Sequence, residues 1–150
     1  MPTRLKDFAA CAVAVAEPDT SALVLAQMMR RHHVGALVVV DALEKTRPLG
    51  IVTDRDLVLA LMAEGLEPDI FTAGDIMSAE LVLASPEMDA MDAVQLMRDH
   101  RLRRLVVADA DGRLVGIVTM EDLLELLTRE LAALTAGVIG ARDREFEQRA

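Results

Sequence analysis

The chain carries the same pattern of residues twice. Residues Val13–Asp41 align with Leu81–Asp109 at an offset of 68 residues. After a loop that is two residues longer in the first copy, Gly50–Met62 aligns with Gly116–Thr128. A repeat of this kind indicates one structural unit built twice. Because a copy of about sixty residues buries only a small core, we expect the two copies to pack on each other.

Both copies have the same order of predicted elements. A short extended piece, Val13–Val15 or Leu81–Leu83, precedes a Pro-containing turn, an amphipathic helix, a hairpin and a second helix. The helix of the second copy has its apolar residues at helical spacing: Ala90, Val94 and Met97, with Ala93 beside them. The predicted hairpins pair Leu37–Val40 with Gly50–Val52, and Leu105–Val107 with Leu114–Val118.

The hairpin strands are nearly continuous apolar runs, which indicates burial on both faces. The predicted fold is therefore α/β (α+β), with two repeated βαββα units packed pseudo-symmetrically into one module. We assign residues 7–65 to the first unit, 75–130 to the second and 131–150 to a helical C-terminal tail. The apolar segment Leu131–Ala141 of this tail either packs on the module or forms an exposed surface for self-association.

Composition restricts the partners and the compartment. The net charge of −9 and the three Phe residues, with no Trp or Tyr, argue against nucleic acid. No run of eighteen uncharged apolar residues exists, so we expect no membrane span. Cys11 is the only cysteine, which fits the reducing cytoplasm. The apolar run Phe8–Ala16 could also be a signal-peptide core, although the repeat explains it better.

Two Thr-x-x-Asp segments, Thr53 with Asp56 and Thr119 with Asp122, each follow a predicted strand and open a predicted helix. Free N–H groups and the dipole at a helix start favour an anion, phosphate above all. A carboxylate one turn later can accept hydrogen bonds from both hydroxyls of a ribose. The same pattern is also close to a capping box, in which both side chains only cap the helix. A cap and a ligand site can coexist.

Two basic residues distinguish the copies. Arg103 and Arg104 stand at the start of a strand next to Thr119, whereas Gly35 and Ala36 hold the equivalent positions of the first copy. Guanidinium groups can clamp a phosphate, although such a pair can also be a solvated basic patch. The sequence therefore predicts that Thr119, Asp122 and the arginines form the stronger site.

Catalytic machinery is not evident in this sequence. His32, His33 and His100 lie beside predicted helix ends, where a structural role is expected. No P-loop, GxGxxG motif or zinc signature is present. We predict no catalytic residue, no metal site and no cofactor, and we consider an enzyme acting on nucleotides the weakest alternative.

The duplication, the segments GIVTDRDL and DIMS, and the run RRLVVADADGRLVGIVTMEDLL resemble a tandem pair of CBS domains, a Bateman module. The resemblance covers residues 7–128. It implies that Thr53 and Thr119 contact phosphate and that the two aspartates contact ribose. It also implies that Arg103 and Arg104 are phosphate-contacting basic residues, and that Val15 and Leu83 lie against the adenine.

The resemblance implies a stand-alone regulatory module and not an enzyme. Such a module binds an adenosine-containing ligand in the cleft between its repeats. The expected ligand is AMP, ADP or ATP, and S-adenosylmethionine is the alternative. We expect it to signal by a conformational or oligomeric change, as a homodimer, to a regulated protein that is not identified. The alternative is a ligand-free scaffold in which the Thr-x-x-Asp pairs are only helix caps.

Overall fold

The computed structural model describes residues 3–9 and 13–149, so the expectation based on Cys11 lies outside the described residues. The strands are β1 (Val15–Ala16), β2 (Ala36–Val40), β3 (Pro48–Thr53), β4 (Leu83–Ala84), β5 (Arg104–Ala108) and β6 (Leu114–Thr119). The helices are α1 (Ala22–His32), α2 (Asp54–Leu57), α3 (Ala73–Ile76), α4 (Ala90–His100) and α5 (Met120–Arg149). The described residues also form a 3-10 turn at Leu5–Asp7 and a π-helix at Val58–Met62.

The two repeats form separate sheets of identical topology. The strand order is β1-β2-β3 in one sheet and β4-β5-β6 in the other. The first pair of each sheet is parallel, and the second pair is an antiparallel hairpin. The predicted hairpins and the predicted pseudo-symmetric α+β architecture are confirmed. The paired segments β1 and β4 begin at the last residue of each predicted extended piece and end one residue later.

Helices α1 and α4 cover the sheets with the faces that their sequences indicate. In α4 the residues Ala90, Ala93 and Met97 are buried, and Val94 packs against the same cluster. Side chains satisfy both helix starts: Ser21 Oγ accepts from the N–H of Val24, and Asp89 Oδ1 accepts from the N–H of Met91. The predicted amphipathic helix of the second copy is therefore confirmed.

The central strand of each sheet is buried on both faces because its side chains alternate between two cores. Leu37 and Val39 of β2 lie in the core of the first repeat. Val38 and Val40 point the other way and pack against Val106 of β5. This inter-repeat core joins the two sheets, and it fixes which side chains face the cleft between the repeats.

The cores of the repeats are completed by exchanged segments. The 3-10 turn at Leu5–Asp7 precedes the first repeat but packs on the second, where Leu5 is fully buried and donates its N–H to the carbonyl of Met88. Helix α3 precedes the second repeat but packs on the first, where Ala73 is fully buried. The unit boundaries that the sequence suggests, 7–65 and 75–130, do not predict this exchange of segments between the repeats.

Helix α5 extends well beyond the second repeat. Leu123 near its start is buried, whereas every residue from 127 to 149 is exposed. Of the two interpretations of the tail, the exposed surface is the one that agrees with this arrangement. Among the described residues, no helix is both long enough and apolar enough to cross a membrane.

Candidate ligand-binding site

Both Thr-x-x-Asp segments form reciprocal hydrogen bonds at a helix start. The N–H of Thr53 donates to Asp56 Oδ2 at 2.8 Å, and the N–H of Asp56 donates to Thr53 Oγ1 at 3.2 Å. The corresponding distances for Thr119 and Asp122 are 2.8 and 3.1 Å. The capping interpretation of these residues therefore describes their geometry.

Capping leaves hydrogen-bonding capacity at each carboxylate. Within the described part of the chain, the hydrogen bonds of Asp56 and Asp122 engage only Oδ2. Oδ1 of each group can therefore accept a further hydrogen bond, and both side chains are only half-buried. The cap and a ligand contact are compatible at both segments.

A cavity of about 170 Å³ lies between the repeats beside the first of these segments. It joins Thr53 and Asp56 of the first repeat with Arg103 and Arg104 of the second. The rest of its wall consists of Ile51, Ser78, Glu80, Leu81, Val82, Leu102 and Val106. Sequence reasoning placed none of these seven residues in the site. Four of them, residues 78 and 80–82, belong to the segment just before β4, which pairs with β3 through Ser78 and Ile51.

Arg104 extends from its own repeat toward the other one. Its Nη2 atom lies 3.3 Å from the position that a Cβ atom on Gly35 would occupy, and Asp54 Oδ2 lies 3.2 Å from the same position. The reason is strand alternation: Arg104 precedes Val106 by two residues and so shares the face of β5 that meets the first repeat.

The structure brings the arginines to Thr53 and Asp56, whereas the sequence grouped them with Thr119 and Asp122. The backbone of Arg104 pairs with Thr119, as its place in the sequence suggests. Its long side chain nevertheless crosses the inter-repeat boundary, and the cavity that it lines contains Thr53 and Asp56. Ala36 holds the equivalent register position opposite Thr53, so no arginine at that position reaches across toward Asp122.

Arg103 contacts the second Thr-x-x-Asp segment as well as the cavity. Its Nη2 atom donates to Glu121 Oε1 at 2.6 Å, and both side chains are exposed. The pKa of the Glu121 carboxyl is lowered, first by a hydrogen bond from its own backbone N–H and then by the Arg103 guanidinium. An exposed pair of this kind contributes little to stability, so an anion can compete for Arg103.

The two predicted adenine-contacting residues lie in equivalent places. Val15 pairs with Val38, and Leu83 pairs with Val106, which puts both side chains on the inter-repeat side of their sheets. Both are exposed. The described cavity is lined by Leu81 and Val82 and not by Leu83.

The charged groups of the cavity divide it into two chemical halves. Arg103 and Arg104 supply donors for an anion, while Asp56 and Glu80 supply acceptors for hydroxyl or amino groups. The cavity therefore suits a ligand with an anionic end and a hydrogen-bond-donating end. Among the described residues, no cluster of His, Cys, Asp and Glu could hold a metal ion.

Comparison with known proteins shows the family. The family model for the CBS domain matches residues 5–63 and again residues 73–129. The chain therefore belongs to the CBS-domain family, and its two matches are the two repeats of the fold described above.

Three similar proteins extend this comparison. The uncharacterized protein MK0525 of Methanopyrus kandleri is 41% identical over 114 residues, which is 76% of this chain and 57% of that protein. The CBS domain protein PAE2072 of Pyrobaculum aerophilum, solved in complex with AMP, has a TM-score of 0.75 and 25% identity over 84% of this chain and 99% of that one. The CBS domain pair of protein MJ0100, solved with 5′-methylthioadenosine and S-adenosyl-L-methionine, has a TM-score of 0.77 and 25% identity over 87% of this chain and 99% of that one.

Proposed function

We propose that this chain is a regulatory CBS-pair module that binds an adenosine-containing ligand in the cleft between its repeats. The observation that carries the proposal is the cavity in which Thr53 and Asp56 meet Arg103 and Arg104. The ligand places its phosphate between the Thr53 hydroxyl and the arginines, and its ribose hydroxyls donate to Oδ1 of Asp56. No catalytic role is assigned to the chain.

The comparisons support an adenosine-type ligand. One similar structure was solved with AMP, and another with 5′-methylthioadenosine and S-adenosyl-L-methionine. AMP, ADP and ATP match the cavity through their phosphates, because two arginines line it. S-adenosylmethionine is the alternative ligand, and its carboxylate would take the place of the phosphate.

The signal that follows binding is proposed to be a change in the relative position of the repeats. The ligand contacts both repeats, so its affinity differs between closely packed and more open arrangements. The module acts as a homodimer in the cytoplasm, and it transmits the change to a regulated protein. The size of the effect is limited by the difference in affinity between the two arrangements.

A second candidate function is a ligand-free scaffold, which the complete capping boxes favour. Thr53, Asp56, Thr119 and Asp122 all have a structural task, and that task alone explains why both copies carry them. The two candidates differ in one measurable respect, because only the sensor is stabilised by a small ligand.

Thermal unfolding of the full chain with and without AMP, ADP, ATP and S-adenosylmethionine separates the candidates. A ligand at a hundred times its dissociation constant is expected to raise the free energy of unfolding by about 2.7 kcal/mol. Adenosine serves as the control for the arginines, because it lacks the phosphate and should give a smaller shift than AMP. If none of the four ligands raises the midpoint, the scaffold is the correct function.

The two aspartates provide a matched pair of variants. Asp56→Ala and Asp122→Ala each remove one capping hydrogen bond of the same length, so each should lower the free energy of unfolding by about 1 kcal/mol. Only Asp56→Ala is expected to abolish most of the AMP-induced stabilisation. Equal loss of that stabilisation in both variants would contradict the assignment of the ligand to the first pair.

A further inference from the structure

The exposed part of helix α5 carries an uninterrupted apolar stripe. The stripe comprises Leu124, Leu127, Leu131, Leu134, Val138 and Ala141, spaced alternately by three and four residues. Leu131, Leu134 and Val138 are 65, 69 and 61% exposed. We call these six residues the α5 seam.

The spacing of the α5 seam identifies the kind of surface that covers it. A helix that packs on its own domain shows a broad stripe with a period of 3.6 residues, whereas a strict three-four alternation has a period of 3.5. The second pattern keeps one narrow seam facing a partner helix along its whole length. In heptad terms, Leu124, Leu131 and Val138 occupy a positions, and Leu127, Leu134 and Ala141 occupy d positions.

The charges beside the seam argue for a second copy of the same helix in antiparallel orientation. In the register that places Leu134 opposite Val138 of the second copy, the g positions bring Glu130 beside Arg144 of that copy. The e positions bring Glu121 beside Arg149 of that copy. Two-fold symmetry repeats each of these pairs of opposite charge, so one register yields four of them.

The same register also matches side-chain volumes across the seam. Leu131 lies opposite Ala141 of the second copy, and Leu134 lies opposite Val138 of that copy. A large residue thus faces a smaller one in the four central layers, which lets two helices approach closely there. The outer layers place Leu127 opposite Glu145 and Leu124 opposite Gln148 of the second copy. A parallel pair in register would instead bring Arg144 beside Arg149 of the second copy, where like charges repel.

We propose that the α5 seam binds the α5 seam of a second copy as an antiparallel two-helix coiled coil. The pairing covers a helix segment of more than twenty residues that contacts little of its own module. It is independent of the ligand site, because residues 127–149 all lie outside the cavity between the repeats.

Spin labels on the full chain test the pairing and its orientation together. Glu147→Cys, in a Cys11→Ser background, puts one label at an outward-facing c position, where it does not disturb the seam. In the antiparallel register the two labelled positions lie eleven residues on either side of the centre, about 33 Å apart along the helix axis. A parallel pair brings them to within about 10 Å of backbone separation, and that result, or the absence of any intermolecular distance, would overturn the proposal.

Two substitutions confirm that the seam makes the contact. Leu134→Asp places a charge on the seam and should weaken the association more than about tenfold, with loss of the intermolecular distance. Ala133→Asp places the same charge one residue away from the seam and should leave the distance unchanged. Equal behaviour of the two variants would refute the seam as the contact surface.

Charge reversal tests the register by a third route. Glu130→Arg and Arg144→Glu each create like-charge pairs and should weaken association in sedimentation experiments, whereas the double variant should restore it. Failure of the double variant to recover would contradict this register. The nucleotide-induced stabilisation is expected to persist in Leu134→Asp, so failure of the coiled coil and failure of ligand binding give different results.

Discussion

At the scale of single residues, the direction of the Arg104 side chain decides which of the two Thr-x-x-Asp segments lies near its guanidinium group. Its backbone is paired with Thr119, yet its guanidinium lies beside Gly35 and Asp54 of the other repeat. Loss of a charge-assisted hydrogen bond to phosphate costs about 1.5–3 kcal/mol. Removal of this one side chain therefore tests the anion-binding half of the cavity directly.

We predict that Arg104→Ala weakens binding of AMP by about ten- to a hundredfold, as measured by titration calorimetry. Arg103→Ala is the matched control, because Arg103 already pairs with Glu121 and is expected to contribute less. An Arg104→Ala variant with unchanged affinity for AMP would show that the phosphate does not lie in this cavity.

The equivalent position of the first repeat allows the opposite experiment. Ala36 pairs with Thr53 as Arg104 pairs with Thr119, so a long basic side chain at 36 should cross the boundary in the other direction. We predict that Ala36→Arg adds a binding site for AMP at Thr119 and Asp122, which calorimetry would detect as an increase in stoichiometry. Ala36→Gln, which is polar but shorter and uncharged, should not produce that increase.

At the scale of elements, the N-terminal turn is held on the second repeat by burial and by charge. Leu5 contributes to the second core, while Arg4 and Lys6 both donate to the carboxylate of Glu87. The pKa of the Glu87 carboxyl lies below its usual value of 4.5, chiefly because of the hydrogen bond from Lys6 and then that from Arg4.

This lowered pKa predicts an acid-sensitive attachment of the turn. A carboxyl whose pKa is lower in the folded state stabilises that state above its unfolded pKa, and the contribution is lost as the pH falls through the folded value. The protection of the N–H groups of Leu5 and Lys6 against hydrogen exchange, relative to the intrinsic rate at each pH, should therefore fall more between pH 5 and pH 3 than the protection in α4. In Glu87→Gln this difference in pH dependence should be absent, and its persistence would contradict the role of Glu87.

At the scale of the whole molecule, a small apolar core joins the two repeats. Val38, Val40 and Val106 are almost completely buried where the sheets meet. The exchanged turn and helix α3 add further contacts that cross between the repeats. The two halves are therefore expected to unfold in one cooperative transition.

We predict that Val38→Thr lowers the free energy of unfolding by about 1–3 kcal/mol, because it buries a hydroxyl group in this core. Urea denaturation measures the change. Val24→Thr, at an exposed position of α1, is the matched control and should change stability by less than about 0.5 kcal/mol. Similar losses in the two variants would show that the inter-repeat core does not stabilise the folded state.

The sequence by itself determined the features that depend on neighbours in the chain. Periodicity located the buried face of α4 at Ala90, Ala93 and Met97, and apolar runs located the hairpins. The Thr-x-x-Asp spacing predicted the caps of both helices, since a cap involves residues only three apart. The duplication predicted two equivalent units, because similar patterns favour similar local structures.

The tertiary structure alone decided the features that depend on how the units meet. The direction of Arg104 follows from the face of β5 that packs on the first repeat, whereas its sequence position alone suggested a grouping with Thr119. The exchange of Leu5 and Ala73 between cores requires segments far apart in the chain to come together. Local pattern fixes local geometry, whereas the assignment of a long side chain to one cleft or another depends on packing between sheets.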